Sequence, residues 1–284
     1  MAYLVVALSA MTWGTWPLFL RPAGVPPLPS ALVVMVLCAL PAPFVLRRAP
    51  LRDRVATAAL MGLGLSNTLN LSCYFLAIHE GPVSVAIFSH YLAPVMVALA
   101  APWVIREPRS RRALVALPVI LGGLLLVVGL PGGDFHGKTA LIGAASAVGF
   151  ALNIFATKVA SRAYSPMAIM SVSSAITAGV LLALFGRDAL PQIEPARIAW
   201  LAAGTLLPGF GAGVAYTWGL QRSSAQTTGA LCYLEPVSAA IVGTLFLDEP
   251  LGLRGAIGAT IVVASGVWVA REAPAAPVVA VAVT

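Results

Sequence analysis

The feature that most limits what this chain can fold into is a succession of nearly unbroken apolar stretches, set apart by short charged or Pro/Gly-bearing connections. A helix rises about 1.5 Å per residue, so about 20 apolar residues match the hydrocarbon thickness of a bilayer. Hydrophobic residues make up 60% of the 284 and charged ones only 10%. No soluble domain of that length buries so much apolar surface. The chain therefore reads as an all-α integral membrane protein. Ten transmembrane helices are predicted, at 2–20, 28–46, 56–78, 82–105, 112–129, 138–158, 164–185, 195–220, 223–247 and 252–270.

A net charge of +7 would suggest a nucleic-acid partner if the cations formed a face or a tail. They lie instead between the apolar segments, which makes them markers of topology. Ten crossings put both termini on one side, and that side holds twelve of the 17 Lys and Arg, including Arg47, Arg48, Arg52, Arg54 and the run Arg106–Arg112. The other side holds Arg21, Lys138, Arg187, Arg197 and Arg254. The positive-inside bias predicts cytoplasmic termini in an inner (plasma) membrane. The first segment has no basic stretch before it, so it is expected to be retained as a helix. Cys38, Cys73 and Cys232 are odd in number and scattered inside apolar segments, which argues against disulfides and metal knuckles. The expected partners are a small-molecule substrate and lipid; no nucleic acid, metal or cofactor is expected.

The chain resembles itself. Shifted by 142 positions, Tyr74, Tyr91, Leu92, Pro94, Val95, Ala98, Glu107, Pro108 and Arg112 fall on Tyr216, Tyr233, Leu234, Pro236, Val237, Ala240, Glu249, Pro250 and Arg254. That is more than the roughly three or four identities composition would supply. A shift of 137 lays Ser9, Trp13, Trp16 and Arg21 on Ser146, Phe150, Asn153 and Lys158, a weaker match. Two units are expected, 1–131 and 132–272, followed by a tail at 273–284. Each unit holds five helices, an odd number, so the second must enter the membrane with opposite polarity. The predicted architecture is two inverted five-helix repeats, an arrangement that secondary transporters use to enclose a substrate near the bilayer midplane.

The segments "HYLAPVMVALAAPWVIREP" and "CYLEPVSAAIVGTLFLDEP", with Trp13-Gly14 in the first helix, resemble the EamA-type drug/metabolite transporter superfamily over nearly the whole chain. The resemblance implies small-solute transport. The length and the cytoplasmic termini are similar to those of the bacterial amino-acid exporters within that superfamily. It also implies a central cavity among helices one, three, four, six, eight and nine.

Residues three or four apart share a helix face, and polar or aromatic stripes in membrane helices are expected to face protein or a cavity. Such stripes nominate Trp13, Trp16, Asn67, Asn70, Tyr74, Tyr91, Phe150, Asn153, Tyr216 and Tyr233 as substrate-binding residues, with Ser9, Ser146 and Gln226 on the same faces. Walls of Trp, Tyr and a few amides suit a solute with an apolar body and a polar or cationic head. The same rings would also serve as interhelical packing. Trp103, Trp200 and Trp268 fall outside the stripes and read as interfacial anchors or packing.

Glu235 is the acid placed well inside an apolar span, where a charge costs about 2.5–3.5 kcal/mol. It is a candidate for proton coupling or ammonium binding, or else a structural residue. His90 is a second proton-coupling candidate, or a histidine bonded to a carbonyl. Pro94, Pro236 and Pro208 are hinge candidates, or static kinks. Glu107 and Glu249 read as loop-cap or ion-pair residues beside Arg112 and Arg254.

The sequence has no ATP-binding loop, so transport would draw on a gradient. The leading expectation is a secondary transporter that exports amino acids, aromatic ones included, or similar metabolites by alternating access around a central aromatic cavity. The alternative is an uptake carrier for an amine or quaternary ammonium compound, held by cation–π contacts. A membrane enzyme acting on lipid is the remote alternative. His79, His90 and His136 form no catalytic or metal-binding motif, so no enzyme is expected.

Overall fold

The computed structural model describes residues 1–48, 51–129, 136–186 and 194–271. The expected unit boundary at 131/132, Arg187 and the 273–284 tail lie outside the described residues. Those described form helices, turns and short connections, with no strand among them.

The first predicted helix is two, α1 (Ala2–Trp13) and α2 (Pro17–Ala23), joined by a turn over Gly14–Trp16. Next come α3 (Pro27–Ala39), α4 (Ala42–Arg48) and the uninterrupted α5 (Arg54–Glu80). The fourth predicted helix is again two, α6 (Val83–His90) and α7 (Ala93–Val104), broken at Tyr91–Leu92. Single helices α8 (Arg111–Val128), α9 (Gly137–Ala160) and α10 (Pro166–Phe185) follow. Then α11 (Pro195–Gly204) runs through a π-helical stretch, Thr205–Gly211, into α12 (Ala212–Gln221). The ninth predicted helix divides at Tyr233 into α13 (Ala225–Cys232) and α14 (Leu234–Phe246), and α15 (Leu253–Ala270) ends the described chain.

Among the described residues, nine helical stretches are long and apolar enough to cross a membrane. The exception is α5, whose 27 residues carry Ser66, Asn67, Thr68, Asn70 and Ser72 in the middle and are correspondingly less apolar. Large apolar side chains point outward along whole helix faces, for example Leu4, Leu8 and Met11 on α1 and Leu141, Val148 and Leu152 on α9. Spacings of three, four and seven put such residues on one stripe, and in a bilayer that stripe meets lipid.

Local chemistry accounts for where helices start. Asp53, Ser110, Ser165 and Ser224 each accept a backbone N–H three residues on, the N-cap bond that satisfies an otherwise orphaned donor. Pro94 and Pro236 are not mid-helix. Pro94 occupies the first turn of α7 and Pro236 the first turn of α14. A proline there lacks only an N–H that has no helical partner anyway, so each marks a restart after a break rather than a bend within a helix. Pro208 does lie inside its element, in the π-helical stretch, where its missing donor interrupts the regular ladder.

Packing is organised around two helices. α9 lies against α5, α6 and α7, while α1 lies against α12, α13 and α14. Around them α3 pairs with α10, α2 with α11, and α8 with α15. The last pair approaches backbone to backbone: a methyl group on Gly123 would lie 3.0 Å from Gly258 O.

Candidate functional site

Most of the predicted binding residues sit on α1, α5, α9, α12 and the two break points, and the fold brings the aromatic ones into ring-to-ring contact with each other and with His90 at the end of α6. His90 stands at the centre of one group. Its imidazole stacks on Phe150 at 5.3 Å with planes 6° apart, lies 4.4 Å from Tyr74, and meets Tyr91 edge-on at 5.1 Å. Tyr91 contacts Tyr233 at 5.7 Å, and the Tyr233 hydroxyl donates to Tyr91 O at 2.6 Å. Trp13 contacts Tyr216 at 4.8 Å. The two tyrosines at the breaks thus tie the fourth and ninth predicted helices together where neither is continuous. Each break frees backbone groups, and one freed carbonyl is bonded by the other break's tyrosine.

Glu235, in the first turn of α14, joins these groups. Its carboxyl lies in electrostatic reach of Tyr91, Tyr74, Tyr216 and Cys232. Gly14 is what lets α1 come so close. A methyl group there would sit 2.6 Å from Ala239 N and 2.7 Å from Glu235 O.

The amides form a separate ladder between α5 and α9. Asn153 Nδ2 donates to Asn67 Oδ1 at 3.2 Å, Ser66 Oγ donates to Asn153 Oδ1 at 2.6 Å, and Asn67 Nδ2 reaches Thr177 Oγ1 at 3.4 Å. Asn70 takes a different role: its backbone O and Oδ1 both lie 2.9 Å from Ser146 Oγ, which lies 2.8 Å from His90 Nδ1. His90 is therefore bonded to a serine, not to a carbonyl. Polar side chains in a membrane interior need such partners. Asn67 and Asn153 spend their bonds on each other and on their neighbours.

Trp16 does not join the rings. Methyl groups on Gly204 and Gly209 would lie 2.9 Å and 3.5 Å from its indole, which makes it the packing surface of the π-helical stretch. Trp103, Trp200 and Trp268 are exposed, and Arg109 lies over the Trp103 ring. The two cavities described, of about 510 Å³ beside Met1, Pro166 and Trp218 and about 310 Å³ between α8 and α15, lie away from the rings.

The Glu-Pro motifs correct a sequence expectation. Neither acid is paired with the nearby arginine. Glu107 pairs with Lys158 at 3.6 Å and accepts the backbone N–H of Ala225, at 2.8 Å, and of Gln226, capping α13. Lys158 also donates to Leu220 O and Ser223 O. Gln226, expected on the pathway face, instead bonds Ser110 N and Pro108 O. Glu249 pairs with Arg21 at 2.5 Å. The start of α13 lies against Glu107, Pro108 and Ser110, and Arg21 of α2 lies against Glu249, so each acid meets a cation distant in sequence. Lys158 and Glu107 are 16% and 2% exposed, Arg21 and Glu249 52% and 55%. These two pairs are the site feature that reading by stripes overlooked. The signal was there in the overlays, which put Arg21 on Lys158 and Glu107 on Glu249.

The sequence profile of the EamA-like transporter family matches residues 1–129 and 137–271. An uncharacterized transporter of Archaeoglobus fulgidus is 28% identical over 273 residues, covering 94% of this chain and 95% of that protein. The threonine/homoserine exporter RhtA of Salmonella typhimurium is 30% identical over 263 residues, covering 87% of this chain and 83% of that one. A solved crystal structure superposes with a TM-score of 0.80 over 96% of this chain and 99% of its own, at 21% identity, a likeness of fold.

Proposed function

From the premise that this chain belongs to the EamA-like transporter family, a family of membrane transporters and not of enzymes, we propose that it exports amino acids or similar small metabolites across the inner membrane by alternating access. Its ten helices, α5 counted with the nine apolar spans, form two inverted repeats of five, 1–131 and 132–272, with both termini cytoplasmic. Several observations support this. The family profile matches in two stretches. The helix breaks at Tyr91 and Tyr233 are 142 positions apart, the spacing of the sequence overlay. The partners of α1 correspond to those of α9.

One observation carries the mechanism: the corresponding ion pairs are unequal. Lys158–Glu107 is buried and locked onto the start of α13, and every residue from Ser223 to Leu234 is buried. At the corresponding positions, Gly81–Leu92, most residues are partly exposed, and Arg21–Glu249 is open to solvent. With cytoplasmic termini, this is a conformation closed on the inside and loosened on the outside. In the opposite conformation the roles exchange: Glu249 caps α6 at Val83 and Ser84, Arg21 is buried beside it, and Glu107 releases Ala225. Inverted repeats supply two such packings of similar energy. Between the latches lie Trp13, Tyr74, Tyr91, Phe150, Tyr216, Tyr233 and Glu235 as the solute site, and the packed rings part to admit it.

The relative named for threonine and homoserine export makes these amino acids the first solutes to try, aromatic ones next. In liposomes preloaded with unlabelled threonine, homoserine or phenylalanine, at least one should drive saturable uptake of its own labelled form against an empty-vesicle control. Solute-independent conductance, or no counterflow with any of a broad amino-acid panel, would overturn the reading.

A further inference from the structure

We propose that Gln226 is a positioning residue for transport, which holds the carrier closed to the cytoplasm when no solute is bound, so that the two conformations of the cycle are unequally populated. This rests on the transport reading above and adds the sense of the bias. Gln226 is 1% exposed. Its Oε1 accepts from Ser110 N at 2.9 Å, and its Nε2 donates to Pro108 O at 2.7 Å. Turning the amide over would set donor against donor and acceptor against acceptor, so these contacts fix its orientation. Glu107, from the same connection between α7 and α8, accepts the N–H groups of Ala225 and Gln226. The clasp is thus reciprocal. A side chain of the connection grips the backbone of α13, and a side chain of α13 grips the backbone of the connection.

In the sequence overlay one gripping side chain of this clasp has no equivalent. The acid is the same, Glu107 and Glu249, and so is the proline, Pro108 and Pro250. The cation is kept in kind, Lys158 and Arg21, and the backbone N–H of Ser110 is matched by that of Gly252. Gln226, however, falls on Ser84. A serine has a single oxygen on a short arm, whereas the glutamine amide offers a separate donor and acceptor on a longer one. Glu249 can therefore cap α6, as the opposite conformation requires, but Ser84 cannot copy the return grip on Pro250 O and Gly252 N. The outer connection is fastened instead to the helix before it: Thr244 Oγ1 accepts from Leu251 N and lies 2.9 Å from Glu249 O. Closing the outside gains the bonds of the acid alone; closing the inside gains those and the bonds of the amide. Hydrogen bonds of ordinary net strength then favour the inside-closed form about tenfold. Carriers open to the cytoplasm are a minority, and the apparent affinity for solute on that side is lowered by the same fraction.

The test is hydrogen exchange on the full-length protein in detergent without solute, comparing the parent with Gln226→Ser and Ser84→Gln. Gln226→Ser removes the extra grip, and should speed exchange across 225–228 about tenfold while slowing it across 83–86, at the other clasp. Ser84→Gln supplies the grip to the outside and should shift both segments in the same directions. A glutamine that merely holds its own surroundings together would loosen 225–228 in the first variant and leave 83–86 unmoved, and Ser84→Gln would not reach 225–228 at all. Either pattern, or parent-like exchange at both segments in Gln226→Ser, would overturn the proposal. If Ser84→Gln does not fold, the opposite shifts in Gln226→Ser decide alone. Counterflow in liposomes stands apart from these results: a protein that passes that test and fails this one is a transporter whose two conformations are balanced without Gln226.

Discussion

Replacing Glu107 by alanine is expected to lower both transport and the melting temperature sharply, whereas replacing Glu249 should lower transport and leave the melting temperature nearly unchanged. The asymmetry follows from burial. Glu107 accepts two backbone donors at the start of α13 and faces Lys158 in a place closed to solvent. Removing one member of a buried pair leaves the other charge uncompensated, a loss of about 3–5 kcal/mol. Glu249 and Arg21 are each about half exposed, and such a pair contributes about 0–1 kcal/mol. If the two acids exchange roles during the cycle, both are needed for turnover although only one is needed in this conformation. Glu107→Gln should recover part of the stability, since its amide oxygen still accepts from Ala225. Thermal melting and counterflow on the same preparations check both halves. Equal destabilisation by the two alanine variants would mean that the unequal burial does not reflect the state in solution.

Adding a single methyl group at Gly14 or Gly149 should cost about 1–3 kcal/mol and most of the activity. Gly14 has a helical φ of −61°, so alanine brings no backbone strain and the effect is steric. Its new Cβ would meet Ala239 N, Glu235 O and Ser238 Cβ, none of which is a flexible side-chain end. α14 must move off α1, carrying Glu235 with it. At Gly149 the obstacle is the α5 backbone, with Asn70 N at 2.7 Å and Ser66 O at 2.8 Å. Separation there pulls Ser146 away from Asn70 and loosens the hold on His90. Both variants should melt earlier and bind solute more weakly. Parent-like melting and uptake in either one would mean that these helices do not need their close approach.

The Gly14 contact also explains the Trp13-Gly14 motif, which the sequence could point to but not account for. Helix positions were legible because a bilayer demands apolar length, and among the described residues nine stretches carry that demand while the polar middle of α5 does not. The breaks were not. Tyr91 and Tyr233 interrupt helices where a hydropathy pattern runs on, and the prolines that drew attention sit just after the breaks. Helical spacing alone sets a face, so the rings could be grouped from the sequence, and the structure brings Trp13, Tyr74, Tyr91, Phe150, Tyr216 and Tyr233 into ring contacts. Spacing cannot say that Trp16 turns toward Gly204 or that Gln226 reaches back to Ser110 and Pro108, because those choices depend on which helix lies opposite. The ion partners of Glu107 and Glu249 were missed for the same reason. An acid's nearest cation in sequence is a poor guide where loops fold back onto distant helices, and only the internal overlay linked Arg21 with Lys158.

Hydrogen exchange at the two latches of the unmodified protein, with and without a solute that shows counterflow, tests the central claim most directly. In the structure the N–H groups of Ala225 and Gln226 are bound to Glu107. Adding solute should speed exchange across 225–228 and slow it across 83–86 as Glu249 takes up the capping role. Exchange that moves in the same direction at both segments, or at neither, while counterflow proceeds would contradict an exchange of caps between inverted repeats.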